Sequence, residues 1–129
     1  MINRVISTTL IEKISSGKAI ILIGPRQVGK TTLIKSVLED RDYLFLDGDD
    51  PTVRNILTNP NTEQLKSIIG DYKIVFIDEA QRIENIGITL KIITDQFKSV
   101  QLFVSGSSAF ELNNQTNEPL TGRKWEYKL

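Results

Sequence analysis

The stretch Gly24-Pro25-Arg26-Gln27-Val28-Gly29-Lys30-Thr31 decides the fold of this 129-residue chain. It fits the pattern G-x-x-x-x-G-K-[ST], in which the two glycines let the backbone come close to a bound anion. Successive backbone N–H groups then point into one concavity, and the helix that begins near Gly29 adds its positive end. The Lys30 ammonium is suited to the β- and γ-phosphates of a nucleotide, and the Thr31 hydroxyl to Mg²⁺.

The segments on either side of this loop have the character that the motif requires. Residues 18–23 form a continuous apolar run, typical of a strand buried on both faces. After the loop, apolar side chains recur on one face of a helix, at Leu33, Ile34, Val37 and Leu38. A buried strand that leads through a glycine-containing turn into a helix is the context in which this motif binds phosphate. We therefore predict that residues 24–32 bind a nucleotide.

The remainder of the chain alternates between apolar strands and amphipathic helices. Helices are predicted near the N-terminus, after Asp50-Pro51, around Leu65 to Ile69, and from Ile86 onward. Further strands are predicted at residues 43–46, 73–77, 101–105 and 125–129. Strands alternating with helices indicate a parallel sheet covered on both faces. The predicted fold class is a three-layer α/β domain.

Two adjacent carboxylates, Asp78 and Glu79, end the third predicted strand. Ligands of parallel sheets gather at the carboxyl ends of the strands, so both acids are expected beside the phosphate-binding loop. Asp78 has the position of an aspartate that holds Mg²⁺ directly or through water. Glu79, one residue on, is placed to orient a water that attacks the γ-phosphate. Acidic residues also simply solvate strand ends, but the loop upstream favours the functional interpretation.

Taken together, Gly24 to Thr32 and the Ile77-Asp78-Glu79 strand end resemble the AAA+-like P-loop ATPases. Residues 105–108, Ser-Gly-Ser-Ser, are similar to the first sensor region of that family, and residues 120–123, Leu-Thr-Gly-Arg, to its Leu-x-Gly-Arg segment. The resemblance covers essentially the whole chain. It implies a five-stranded sheet in the order 5-1-4-3-2, ATP as the nucleotide and a cytoplasmic location. Family members usually continue into a C-terminal region, so we expect residues 1–129 to be the ATPase core without its helical lid or additional domain.

Three of the predicted site residues, Ser107, Arg26 and Arg123, each have more than one interpretation. Ser107 is a candidate sensor of the γ-phosphate or an ordinary turn residue, and Arg26 adds charge near the phosphates or faces solvent. Arg123 completes the site within the chain, acts on a neighbouring subunit as an arginine finger, or forms a structural salt bridge. The predicted catalytic residues are Lys30, Glu79 and Arg123; the predicted metal ligands are Thr31 and Asp78; the predicted nucleotide-binding residues are Gly24, Pro25, Arg26, Gln27, Val28, Gly29, Lys30, Thr31, Thr32 and Ser107.

Composition restricts the chemistry and the partners. The chain has no histidine and no cysteine, which argues against a structural zinc site and excludes histidine-based catalysis. Sixteen basic residues balance sixteen acidic ones without a basic stripe, so nucleic-acid binding through this domain alone is not expected. No apolar run approaches the roughly 20 residues that span a bilayer, so no membrane partner is expected. A homo-oligomer, or a C-terminal domain in a longer protein, is the possible protein partner.

Three other functions compete with an ATPase that uses ATP and Mg²⁺. A P-loop kinase for a small molecule would need an acceptor pocket and a mobile lid, and no arginine-rich lid insertion is visible. A nucleotide-binding switch without significant hydrolysis fits an isolated core domain. A GTPase is less favoured because no Asn-Lys-x-Asp segment is present to read guanine. The glutamate directly after Asp78 favours hydrolysis over phosphate transfer to an acceptor.

Overall fold

A computed structural model describes residues 4–14, 16–25, 29–107, 120 and 122–128 of the chain. Within these residues, no helix is long and apolar enough to cross a membrane. The elements follow one another as α1 (Arg4–Lys13), β1 (Ala19–Ile23), α2 (Lys30–Leu38), β2 (Leu44–Asp47), α3 (Pro51–Leu57), α4 (Thr62–Ile69), β3 (Ile74–Asp78), a 3-10 turn (Ala80–Arg82), α5 (Ile86–Gln96), β4 (Gln101–Gly106) and β5 (Lys124–Lys128).

The five strands form one sheet in which every neighbouring pair is parallel, in the order β2-β3-β4-β1-β5. This order confirms the predicted 5-1-4-3-2 arrangement. Across the sheet, Phe76 of β3 lies between Phe45 of β2 and Phe103 of β4. On the other side of Phe103, Ile20 of β1 lies between Phe103 and Trp125 of β5. Since all strands run the same way, the ends of β1, β3 and β4 reach one common carboxyl edge.

The two faces of the sheet bury two separate cores, because successive side chains of a strand point to opposite sides. Ile21, Ile23, Val75 and Ile77 face a core that includes residues of α3, α4 and α5. The other face presents Ile20, Leu22, Phe76 and Phe103 to residues of α1 and α2. The three-layer α/β prediction is therefore confirmed, and the apolar run in β1 is buried at every position.

The start of α3 follows the chemistry predicted for Asp50-Pro51, and α4 has well-defined caps at both ends. The Asp50 side chain accepts a hydrogen bond from the Thr52 backbone N–H at 2.9 Å, and Pro51 occupies the first turn of α3. Asn61 and Gln64 form a reciprocal capping box at the start of α4, with both hydrogen bonds at 2.8 Å. Gly70 closes α4 with a positive φ of 58°.

Strand β5 packs against the core beside α1 through Trp125 and Tyr127, which share one face of the strand. The Lys13 and Lys18 ammonium groups lie 4.2 Å and 4.4 Å from the centre of the Trp125 ring. The Trp125 indole N–H donates to the Ser16 hydroxyl at 3.1 Å. These contacts attach the N-terminal helix to the last strand of the sheet.

Candidate nucleotide-binding site

The phosphate-binding loop leaves β1 at the carboxyl edge of the sheet. Gly24 is buried, and its backbone N–H donates to the Gly106 carbonyl at the end of β4 at 3.2 Å. Gly29 has a φ of 80°, which is open to glycine at little cost, and precedes the first residue of α2. The loop thus begins on the sheet and ends at a helix N-terminus. This is the arrangement that presents backbone N–H groups and a positive dipole end to an anion.

Lys30 lies at the first position of α2 and is almost fully buried, with 2% of its surface exposed. Its Nζ donates to the Gly24 and Pro25 carbonyl oxygens at 2.8 Å each. The ammonium is therefore held against the first two residues of the loop, at the start of α2. Of the other predicted loop residues, Thr32 is exposed on α2, while Arg26, Gln27 and Val28 lie outside the described residues.

The Thr31 hydroxyl donates to Asp78 Oδ1 at 2.9 Å, joining the start of α2 to the end of β3. Ser105 of β4 donates its hydroxyl to the same oxygen. Asp78 is 7% exposed and Ser105 is fully buried. Such hydrogen bonds offset the cost of burying a carboxylate. The two predicted metal ligands are thus brought together on one wall of the site.

The Thr31 hydroxyl oxygen and Asp78 Oδ1 are suitable ligands for a magnesium ion. Mg²⁺ takes oxygen ligands at about 2.0–2.1 Å in an octahedron, so two adjacent ligands lie roughly 2.9 Å apart. That separation matches the distance between the Thr31 hydroxyl and Asp78. Among the described residues, no group of three or more acidic side chains gathers at one point. The ion would therefore be completed by phosphate oxygens and water, as Mg²⁺ commonly is.

Glu79 follows Asp78 with a left-handed backbone, φ 51° and ψ 46°, which is uncommon outside glycine and is favoured at functional sites. Only 7% of the residue is exposed. Oε1 accepts hydrogen bonds from the Ser107 hydroxyl at 2.9 Å and from the Gln81 amide at 2.8 Å. The predicted water-activating residue and the predicted sensor are thus in direct contact.

Gly48 packs the end of β2 against the two acids. Its backbone N–H donates to the Asp78 carbonyl at 2.7 Å. A Cβ at this position would lie 2.3 Å from the Glu79 carbonyl oxygen and 2.7 Å from that of Asp78. Nothing larger than glycine fits without moving the backbone that carries both carboxylates. The preceding Asp47 accepts from the Asp49 N–H at 2.9 Å and so caps the loop that follows β2.

Arg123 is not brought to this site. It precedes β5, and its carbonyl accepts from the N–H of Ala19, the first residue of β1, so it lies at the amino edge of the sheet. The length of β1, roughly 15 Å at about 3.3 Å per residue, separates that edge from the loop. Its guanidinium forms a 2.7 Å ion pair with Asp95 of α5, and this hydrogen bond lowers the pKa of Asp95 below 3.8. The predicted catalytic role within the same chain has no support in this geometry, and a role toward a neighbouring subunit stays a prediction.

Sequence reasoning missed three residues that shape the site. Ser105 and Gln81 hydrogen-bond to the two acids, and Gly48 lets β2 approach them. The sequence patterns around these three residues indicate a role in the site only weakly. Ser105 ends an apolar strand beside Gly106, Gln81 stands two positions after Glu79, and Gly48 follows a strand like many turn glycines.

Fold and site together define a P-loop NTPase domain: a parallel sheet, a glycine-containing loop opening onto a helix, and a buried aspartate hydrogen-bonded to the threonine of that loop. A family model described as an AAA domain matches residues 16–129. The chain belongs to this AAA domain family. Its fold is that of a P-loop ATPase core.

Two mycobacterial proteins are similar to this chain in sequence. The chain is 30% identical over 105 residues to the uncharacterised proteins Mb2031c of Mycobacterium bovis and Rv2008c of Mycobacterium tuberculosis. The match covers 81% of this chain but only 23% of the length of either relative.

Two solved structures share the fold. The Walker-type ATPase PABY2304 of Pyrococcus abyssi superposes with a TM-score of 0.65 at 16% identity, over 99% of this chain and 54% of that one. A chain of the Drosophila ORC structure bound to DNA gives 0.66 at 14% identity, over 98% of this chain and 89% of that one. At these identities the likeness concerns the fold alone.

Proposed function

We propose that this domain binds ATP with Mg²⁺ and hydrolyses it: water attacks the γ-phosphorus, the β–γ phosphoanhydride bond breaks, and ADP and inorganic phosphate are released. The observation that carries the proposal is the hydrogen bond from Thr31 to Asp78, with Glu79 as the next residue. It joins the helix that follows the phosphate-binding loop to the strand that ends in the two acids. A metal held there would lie beside the phosphates that Lys30 attracts.

Each residue has a role that follows from its position. Lys30 and the N-terminus of α2 neutralise the phosphates, and Thr31 and Asp78 hold Mg²⁺, which when bound neutralises charge that develops on the phosphate oxygens. Glu79 accepts a hydrogen bond from the attacking water and so orients it. Ser107 donates its hydroxyl hydrogen to the γ-phosphate, next to Glu79. Phosphoryl transfer of this kind depends mainly on such positioning and charge stabilisation.

The test is release of free phosphate from ATP by the chain and by Glu79→Gln. Glutamine keeps the size of Glu79 but loses the negative charge, so ATP binding is expected to persist while turnover falls at least 100-fold, a loss that the barrier relation equates to about 2.7 kcal/mol. Glu84→Gln, the same change at an exposed position, is the matched control and is expected to leave both unchanged. Hydrolysis at the wild-type rate in Glu79→Gln would overturn the assigned role.

The same assay separates the competing functions. Transfer of labelled γ-phosphate to a small acceptor, with little free phosphate, would favour the kinase. Binding of ATP with no turnover in the presence of Mg²⁺ would favour the nucleotide-binding switch.

A further inference from the structure

Gln81 makes contacts that the proposed mechanism does not yet use. Its Nε2 donates to Glu79 Oε1 at 2.8 Å and to the Ser107 hydroxyl oxygen at 2.7 Å. Its Oε1 accepts from the Ser107 backbone N–H at 3.3 Å. One amide therefore touches both the water-activating acid and the sensor, and its two ends are matched to donors and acceptors.

The orientation of this amide is fixed by its surroundings. With the amide turned over, its carbonyl oxygen would face the Glu79 carboxylate, and its NH₂ group would face the backbone N–H of Ser107. Both contacts would be repulsive, since neither pair contains a donor and an acceptor. The observed orientation satisfies all four groups.

The backbone under Gln81 is also rigidly held. Gln81 is the middle residue of the 3-10 turn, and the neighbouring Ala80 and the following Ile83 are fully buried in the core beneath α5. The Arg82 and Ile83 N–H groups bond back to the Glu79 and Ala80 carbonyls at 3.1 Å and 3.0 Å. A side chain on such a support is suited to hold a neighbour in one geometry.

The number of hydrogens that Ser107 can donate explains why Glu79 needs a second hydrogen-bond donor. The Ser107 hydroxyl carries one hydrogen, which it donates to Glu79 in this structure. If Ser107 donates to a γ-phosphate, as the proposed function requires, that hydrogen leaves Glu79. Gln81 has two N–H donors and keeps one on Glu79 while the other stays on Ser107.

We propose that Gln81 is a positioning residue of the ATP site, holding Glu79 and Ser107 in one geometry so that the acid stays aligned when Ser107 turns to the γ-phosphate. The inference rests on the proposed hydrolysis by Glu79. Gln81 contacts neither metal nor water in this role; it acts through Glu79. Its expected contribution is therefore to kcat and not to ATP affinity.

The test compares three substitutions of Gln81 in the 129-residue chain. Gln81→Ala removes both donors and is expected to lower kcat about 10- to 100-fold, the range typical of a misplaced reacting group, with the ATP dissociation constant unchanged within about twofold. Gln81→Glu keeps the size but sets an acceptor against Glu79, so its kcat is expected to fall at least as far. Gln81→Met keeps the bulk without donors and is expected to resemble alanine.

Controls distinguish positioning from packing. Gln96→Glu, the same change at an exposed residue of α5, is expected to behave as wild type. In Glu79→Gln, adding Gln81→Ala is expected to lower turnover no further, because both changes act through one residue. Near-wild-type kcat in Gln81→Glu or Gln81→Met would show that Gln81 only fills space and would overturn the proposal.

A structural readout keeps the inference separate from the proposed function. If the wild-type chain releases no phosphate from ATP, the proposed function is wrong, whereas crystal structures of the nucleotide-free chain and of Gln81→Ala still decide the positioning. We expect the Glu79 carboxylate to leave the Ser107 hydroxyl in Gln81→Ala. An unchanged 2.9 Å contact would refute the role of Gln81 whatever the turnover.

Discussion

Thr31 and Asp78 are 47 residues apart in the chain, yet the hydroxyl of one donates to the carboxylate of the other at 2.9 Å. The contact exists because β1 and β3 are both parallel to β4 and end at the same edge of the sheet. It ties the N-terminus of α2 to the end of β3. A metal ion that replaced the shared hydrogen would find both oxygens already adjacent.

Removal of the Thr31 hydroxyl is expected to weaken the Mg²⁺ dependence of nucleotide binding. Thr31→Val keeps the shape of the side chain but offers no oxygen ligand, and Asp78→Asn removes the charge of the other ligand. Both are expected to raise the ATP dissociation constant at least tenfold in Mg²⁺ and to change it little in EDTA. Calorimetry with and without Mg²⁺ measures the difference. Thr94→Val, on the far end of α5, is the matched control; equal Mg²⁺ dependence in all variants would remove the metal assignment.

Loss of the Lys30 ammonium is expected to weaken ATP binding directly. A charge-assisted hydrogen bond of this kind contributes on the order of 1.5–3 kcal/mol, so Lys30→Ala is expected to raise the dissociation constant at least tenfold. Lys35→Ala on the same helix is the control, since the Lys35 ammonium lies 4.2 Å from the Phe45 ring and outside the loop. Calorimetry in which both variants bind ATP as tightly as wild type would contradict the phosphate-binding assignment.

The fold could be predicted because its signals are local. Each strand is a short apolar run, the caps at Asp50 and Asn61 lie within one turn of their helices, and the loop motif joins a strand to a helix. The observed strands begin or end one residue from the predicted bounds at most positions. Strand ends depend on which backbone groups find partners across the sheet, which a single segment does not reveal.

The candidate site was only partly predictable. Lys30, Thr31, Asp78 and Glu79 belong to motifs whose spacing carries the chemistry. Gln81 depends on a contact with a loop 26 residues away, which no local pattern reports. Arg123 was placed from a motif alone, and the register of β5 shows that this segment enters the sheet at the opposite edge from the phosphate loop.

A methyl group at Gly48 is expected to displace the backbone of Asp78 and Glu79 and to lower the stability of the fold. The added Cβ would meet the carbonyl oxygens of Asp78 and Glu79 at less than contact distance, so the backbone must move. Overpacking of this kind typically costs about 1–3 kcal/mol. Gly48→Ala is expected to lower both the melting temperature and kcat. Gly17→Ala, strained by its φ of 82° but free of neighbours within 4 Å, is the comparison: it is expected to lose stability and keep kcat per folded molecule.

The ion pair of Asp95 and Arg123 makes a pH-dependent contribution to stability. The pKa of Asp95 is lowered in the folded chain chiefly by the hydrogen bond from Arg123, so the pair stabilises the fold above the ordinary value of 3.8. That stability is lost as pH falls through the lowered folded-state pKa. The melting temperature of Asp95→Asn is therefore expected to lie slightly below wild type from pH 7 to pH 5 and to converge with it below 3.8. Asp71→Asn is the control, and a difference that stays undiminished down to the lowest pH at which both chains fold would contradict the ion-pair explanation.

Variants of Arg123 test whether the proposed ATP hydrolysis needs a second copy of this domain. Because its guanidinium binds Asp95 at the amino edge of the sheet, it does not reach the phosphates of its own chain. Arg123→Ala is therefore expected to lower the melting temperature like Asp95→Asn and to leave turnover unchanged at nanomolar protein, where neighbouring copies are rare. Steady-state phosphate release across a protein concentration series measures this. Arg41→Ala, an exposed arginine at the end of α2, is the control.

The same series tests the remaining role, an arginine delivered from a neighbouring subunit. Such an arginine accelerates phosphoryl transfer by roughly 10³–10⁵-fold, because it stabilises charge spread over the γ-phosphoryl oxygens. Specific activity of the wild type would then rise steeply with protein concentration, and Arg123→Ala would abolish the rise without weakening ATP binding. Asp95→Asn, which removes the charge of the ion-pair partner, would keep the rise. Turnover that is independent of concentration and equal in all three proteins would establish that Arg123 acts only as the structural partner of Asp95.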